Sequence, residues 1–252
     1  MSLNPDPAPG RLAGKVALVT GASRGLGAAV AVCLAAEGAH LVLAARTTGG
    51  LEEVDDRVRA LGGHATLVPL DLRELARIDD LAAAVYQRWG RLDILVGNAG
   101  ELGVLSPLGH IPPETWAEVL DINLNANWRL IRDFDPLLRA APAGRAIFVT
   151  SAVAREPSAY WGAYAVSKTA LEMLVKIYAV EIARTRVRAN LIDPGIVRTR
   201  LRARAFPGED PARLPMPESV TKTFLALAVP ECTKNGAVVR AAVPPLPAEA
   251  DG

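Results

Sequence analysis

The stretch Lys15–Gly27, KVALVTGASRGLG, decides the fold. An unbroken apolar run, VALVT, passes straight into a glycine-studded turn and then into a segment with a helical pattern. A strand that is apolar at every position is buried on both faces, and that requires helices above and below its sheet. Gly21, Gly25 and Gly27 can supply a tight turn, a close backbone approach to a ligand and a close contact between helix and strand. The helix start that follows presents free N–H groups to an anion. The spacing is GxxxGxG, not the commoner GxGxxG, and three glycines alone are equally compatible with a plain βα turn. Their place directly after the first strand favours a phosphate-binding turn built from Gly21, Ser23, Arg24, Gly25, Leu26 and Gly27.

Outward from this unit the same alternation repeats. HLVLAA, ATLVPL, LDILVG, RAIFVT, RVRANLI and a late AVVRAAV read as further buried strands. Between them lie helical patterns over Leu26 to Glu37, Leu51 to Leu61 and Leu75 to Trp89, then about Pro113 to Arg139 and about Gly162 to Arg184. Strands joined by helical crossovers form a parallel sheet with right-handed connections. The expectation is one α/β domain, a Rossmann-like doubly wound parallel sheet of about seven strands with helices on both faces, spanning 12–245. Residues 1–11 read as a disordered lead-in and 246–252 as a short tail. One irregular insertion, Arg202 to Ser219, is rich in proline and charge and is read as a flap over a site.

Composition narrows the partners. Twenty-eight basic residues against 27 acidic ones leave a net charge of +1, so there is no global field for wrapping nucleic acid. The longest apolar tract, Ala28 to Ala45, is interrupted by Glu37, Gly38 and His40 and reads as helix, turn and strand rather than a membrane span. Cys33 and Cys232 lie far apart in apolar surroundings, as reduced thiols of a cytoplasmic protein. His40, His64 and His110 lack metal-ligand spacing, and no metal is expected. A small-molecule partner remains. Dinucleotide sites selective for NAD usually carry a carboxylate at the end of the second strand. Here that strand ends in Arg46, which with Arg24 can embrace a 2′-phosphate, so NADP(H) is expected over NAD(H).

Six motifs now stand in order: TGASRGLG at 20–27, DL at 71–72, GNAG at 97–100, Asn123 in DINLNAN, Ser151 in VTSAV and YAVSK at 164–168. In order and spacing, from about Leu12 to Val243, the chain resembles the short-chain dehydrogenase/reductase family. The resemblance implies Tyr164 as the acid/base, Lys168 one helical turn on as its electrostatic partner and ribose ligand, and Ser151 holding the substrate oxygen. A neighbouring ammonium together with the cofactor's positive nicotinamide is expected to favour the phenolate of Tyr164. Tyr160, outside that spacing, is at most a pocket wall. Asn123 matches the asparagine that helps hold a water between Lys168 and solvent. Asp71 and Leu72 match the adenine contacts, Asn98, Ala99 and Gly100 the segment lining the cofactor, and Pro194, Gly195, Ile196 and Thr199 the segment covering the nicotinamide. Gly97 departs from the family's usual NNAG and weakens one hydrogen bond of the motif, while Asn98 remains. The implied activity is hydride transfer between a nicotinamide and a carbonyl or secondary alcohol of a small molecule, in a homodimer or homotetramer. Two other readings stay open. One is a 3-oxoacyl reductase whose Arg129, Arg132, Arg184, Arg186 and Arg188 meet an acidic carrier protein; the other is a non-catalytic NADP-binding sensor or scaffold.

Overall fold

The computed structural model of the protein describes residues 10–242, so the expected lead-in up to residue 9 and the C-terminal tail lie outside the described residues. Arg11, read with that lead-in, already donates its backbone N–H to the Glu37 carboxylate, and Leu12 is fully buried.

Seven strands form one sheet in the order β3-β2-β1-β4-β5-β6-β7, every pair parallel. They are β1 (Val16–Thr20), β2 (His40–Ala45), β3 (His64–Pro69), β4 (Ile94–Gly97), β5 (Arg145–Val149), β6 (Arg188–Asp193) and β7 (Val238–Arg240). Alternate residues of each strand serve two different cores. In β1, Ala17 and Val19 join α1 (Gly25–Ala36), α2 (Thr48–Ala60) and α8 (Thr221–Ala228) on one face. Val16 and Leu18 join α3 (Ala76–Trp89), α5 (Ala126–Ala140) and α6 (Gly162–Glu181) on the other. Burial on both faces is why the central strands read as unbroken apolar runs. Two shorter helices complete the set, α4 (Pro113–Leu120) and α7 (Arg200–Ala205).

The helix expected over 113–139 is interrupted. Between α4 and α5 the backbone widens into a π turn at Asp121–Asn125, where the side-chain amide of Asn127 donates to the Asn123 carbonyl at 2.8 Å. A side chain thus holds a carbonyl at the break, which the apolar periodicity of the segment does not register. The sheet order reverses between β1 and β4, so a crevice opens at the C-terminal ends of these two strands.

Candidate active site and cofactor cleft

A cleft of about 650 Å³ occupies that crevice. It draws residues from beyond the ends of β1 to β6, and every residue expected to take part in catalysis or cofactor binding except Asn123 lines it.

At the β1 end, Gly21 and Gly25 adopt φ of +63° and +56°, backbone states that a side chain strongly disfavours. Gly27 needs its missing Cβ for another reason: a methyl there would run into the Gly21 carbonyl and the Asn98 side chain. Asn98 fastens this turn to β4, its Nδ2 donating to the Thr20 carbonyl at 2.8 Å while its backbone N–H donates to Thr20 Oγ1 at 3.0 Å. A backbone cradle closed to side chains and open to a long cleft fits a dinucleotide. The departure at Gly97 also finds its explanation here. The space beside Gly97 is filled by Asn127 Oδ1 and the Phe148 ring, so a larger residue at 97 would collide with both.

Tyr164 and Lys168 lie on consecutive turns of α6, and Ser151 follows β5 and lines the same cleft. Tyr164 and Lys168 are buried. Lys168 Nζ donates to the Val149 carbonyl at 2.8 Å and sits 5.7 Å from the centroid of the Tyr164 ring. Burial pushes the Tyr164 phenol up to about 12, against hydrogen bonding with Ser151, and Asp193 adds to the rise. Burial also pushes the Lys168 ammonium down to about 8. The rise comes chiefly from burial, and no lowering by Lys168 accompanies it. Tyr164 stands as a protonated phenol, a ready donor. Tyr160 is exposed, holds a left-handed φ of 73° and does not line the cleft. Trp161 does line it, edge-on to Tyr164 at 5.9 Å and facing Phe206 of the flap at 5.9 Å.

Asn123 stands behind the cleft wall, fully buried. Its Oδ1 accepts the Glu101 backbone N–H at 2.8 Å, and its Nδ2 donates to the Glu101 carbonyl and to Ser167 Oγ, each at 2.9 Å. It pins the chain after GNAG against α6. Three charged residues escaped the sequence reading. Asp193 lines the cleft beside Tyr164; its Oδ2 accepts from Arg155 at 2.5 Å and its Oδ1 from the Gly195 N–H at 3.1 Å. Arg155 also donates to buried Glu172 at 2.6 Å, and Glu172 accepts from Thr150 at 2.9 Å. This group joins the segment after Ser151, α6 and the turn after β6 behind the reacting groups. Its members are 17 or more residues apart in sequence, so no spacing announces it.

On the adenine side, Arg46 and Arg24 are exposed and line the cleft. Asp71 is held by Arg73, whose Nη2 lies 2.6 Å from Oδ2, and this bond above all keeps its carboxyl below the ordinary range. Thr199 caps α7, which leads into the flap: its Oγ1 accepts the Arg202 N–H at 3.1 Å, and its methyl lies 3.8 Å from where a Cβ on Gly25 would be. The start of α7 therefore lies against the glycine turn. Leu201, Ala205, Leu105, Val153 and Trp161 pack with Leu102 and Tyr164 into a small apolar cluster at this end. Among the described residues no helix is long and apolar enough to cross a membrane, and no group of three or more His, Cys, Asp or Glu could hold a metal.

Comparison with known proteins gives this geometry relatives. Residues 15–210 match the family described as short chain dehydrogenase. The Escherichia coli oxidoreductase YciK is 37% identical over 216 residues, 84% of this chain and 85% of its own. A short chain dehydrogenase of Pseudomonas syringae superposes with a TM-score of 0.90 at 40% identity, covering 93% of this chain and 97% of that one. A Shigella flexneri short chain dehydrogenase complexed with NADP superposes with a TM-score of 0.88 at 35% identity, covering 92% and 98%.

Proposed function

Because the chain belongs to the short-chain dehydrogenase/reductase family and is an oxidoreductase of that type, we propose that it is an NADP(H)-dependent reductase of small apolar or aromatic carbonyl compounds, working in reverse on the secondary alcohols. The observation that carries this is the convergence of Ser151, Tyr164 and Lys168 on one end of a cleft whose other end is a side-chain-free glycine turn. When bound, the nicotinamide supplies the hydride. Ser151 donates a hydrogen bond to the substrate carbonyl oxygen and fixes its place. Tyr164, protonated in its buried setting, delivers its proton to that same oxygen as negative charge builds there. Lys168, charged below about pH 8, steadies the phenolate left behind and binds the nicotinamide ribose. Asn123 holds the Glu101 loop and, with Lys168, orders the water that returns the proton from solvent.

Arg24 and Arg46 take the 2′-phosphate; the nearby carboxylate, Asp71, is already claimed by Arg73. The substrate end is walled by Trp161, Leu201 and Ala205, which suits an uncharged, apolar substrate. Arg129 is engaged by Asp79 at 2.6 Å and by Asp133, so it is not offered to an acidic carrier. Val166, Met173, Ile177 and Val180 form one exposed apolar stripe along α6, and we read it as the contact of a homodimer. Oxidation of NADPH, followed by absorbance across a panel of aryl and alkyl ketones and aldehydes, tests the function. Turnover of apolar carbonyls with NADPH is expected; tight NADPH binding with no turnover anywhere on the panel would favour the sensor reading instead.

A further inference from the structure

The sequence from Arg198 to Arg204 places arginine at every second position, a pattern that by itself fits an anion trap or a solvated surface. The structure separates the four. Arg198 donates to Met216 Sδ at 3.7 Å. Arg202 forms a two-pronged pair with Glu209 at 2.6 and 2.8 Å and lies 3.7 Å over the Phe206 ring. Arg204 reaches Glu101 Oε1 at 2.5 Å and the Gly103 carbonyl at 3.1 Å. Arg200 alone of the four makes no side-chain hydrogen bond or ion pair among the described residues.

Its surroundings give that freedom a meaning. Beside the main cleft lies a second cavity of about 360 Å³ that Arg200 lines together with Arg24 of the glycine turn and Arg46 at the end of β2. Glu101 also lines it, but its Oε1 already accepts from Arg204 and from the Leu102 and Gly103 amides. Arg204 lines it too, paired with Glu101; the other three guanidinium groups make no ion pair among the described residues, an arrangement relieved by an anion with several acceptor oxygens. Arg200 directly follows Thr199, whose methyl lies 3.8 Å from the Gly25 Cβ position, so it is carried onto the phosphate-facing turn by the flap itself.

We infer that Arg200 is a third cofactor-phosphate ligand, delivered by α7, so that binding of a phosphorylated dinucleotide and seating of the flap over the substrate end are one coupled event. This rests on the NADP(H) reading above. The phosphate is the 2′-monophosphate between Arg24 and Arg46 or the diphosphate over the glycine turn, and the cofactor series tells them apart.

The test compares wild type with Arg200→Ala. Dissociation constants for NADPH and NADH are measured by fluorescence titration, and amide hydrogen exchange of residues 201–206 is followed with and without NADPH. Arg200 is exposed, so the variant is expected to fold as wild type, which its thermal melt checks. Expected is an NADPH affinity about tenfold weaker, from the loss of a charge-assisted contact, together with loss of the NADPH-induced protection of 201–206. A loss confined to NADPH assigns the 2′-phosphate, and an equal loss for NADH assigns the diphosphate. Unchanged NADPH affinity in Arg200→Ala overturns the inference while leaving the NADP(H) reading intact. A wild-type protein that binds neither nucleotide overturns that reading itself.

Discussion

The two ends of the cofactor cleft are built on opposite principles. The glycine turn is backbone: residues at positive φ, a fully buried strand before it, and Asn98 tying it to the next strand. The flap is side chain: a six-residue helix held down by Arg202 with Glu209, Arg204 with Glu101, and Phe206 against Trp161. The first end has no room to rearrange, because the Gly27 position is closed by neighbouring backbone. The second is fastened by partly exposed charged pairs, each contributing about 0–1 kcal/mol, which makes it the easier of the two ends to displace. A rigid cradle and a loosely latched cover should therefore respond very differently to single substitutions.

The largest effect is expected inside the rigid frame. Tyr164→Phe should lower kcat by about 10²–10⁴-fold, with NADPH affinity nearly unchanged, because only the proton donor is removed. Tyr160→Phe should leave steady-state kinetics as they were, since that ring lies outside the cleft. Gly27→Ala comes next. The added methyl meets the Gly21 carbonyl, and calorimetry should show NADPH binding lost together with a melting shift reflecting about 1–3 kcal/mol of overpacking. Normal NADPH affinity in this variant would show that the cradle is less rigid than its geometry implies.

Arg46→Ala sharpens the boundary between the two ends. It should weaken NADPH by about tenfold and leave NADH unaffected, read from the ratio of the two dissociation constants. The pH dependence follows from burial. Tyr164, held up at about 12, stays protonated across the working range, whereas Lys168, held down at about 8, is charged below that value and neutral above it. The kcat/KM for carbonyl reduction should thus stay level up to about pH 8 and decline by on the order of tenfold per unit beyond it. A profile level to pH 10 would mean that the charge on Lys168 does not matter to the transition state. The smallest effect belongs to the latch. Arg204→Ala should raise substrate KM only a few-fold, consistent with a partly exposed pair, and salt should diminish the difference between variant and wild type.

The features legible in the sequence share one property: each is encoded within a few consecutive residues. The apolar strands, the glycine turn, the one-turn interval from Tyr164 to Lys168 and Arg46 at a strand end depend only on local backbone geometry. Features that were missed depend on residues distant in the chain. The π turn at Asp121–Asn125 sits in a segment whose apolar periodicity runs on as one helix, and its Asn127 also fills the space left beside Gly97. Burial raises the phenol of Tyr164, and no local spacing announces that, because burial is a property of the packed cleft. Arg155, Glu172 and Asp193 are unremarkable one by one and form a group only when three elements meet.

The sequence by itself therefore determined the sheet, its helices and the glycine turn, since short-range sterics and periodicity dictate them. Only the tertiary structure decided which of four alternating arginines has no side-chain partner among the described residues, how the start of α7 lies against the glycine turn, and which groups are desolvated. Pairing of charges and exclusion of water depend on what the fold brings close across the chain, and no local pattern carries that information.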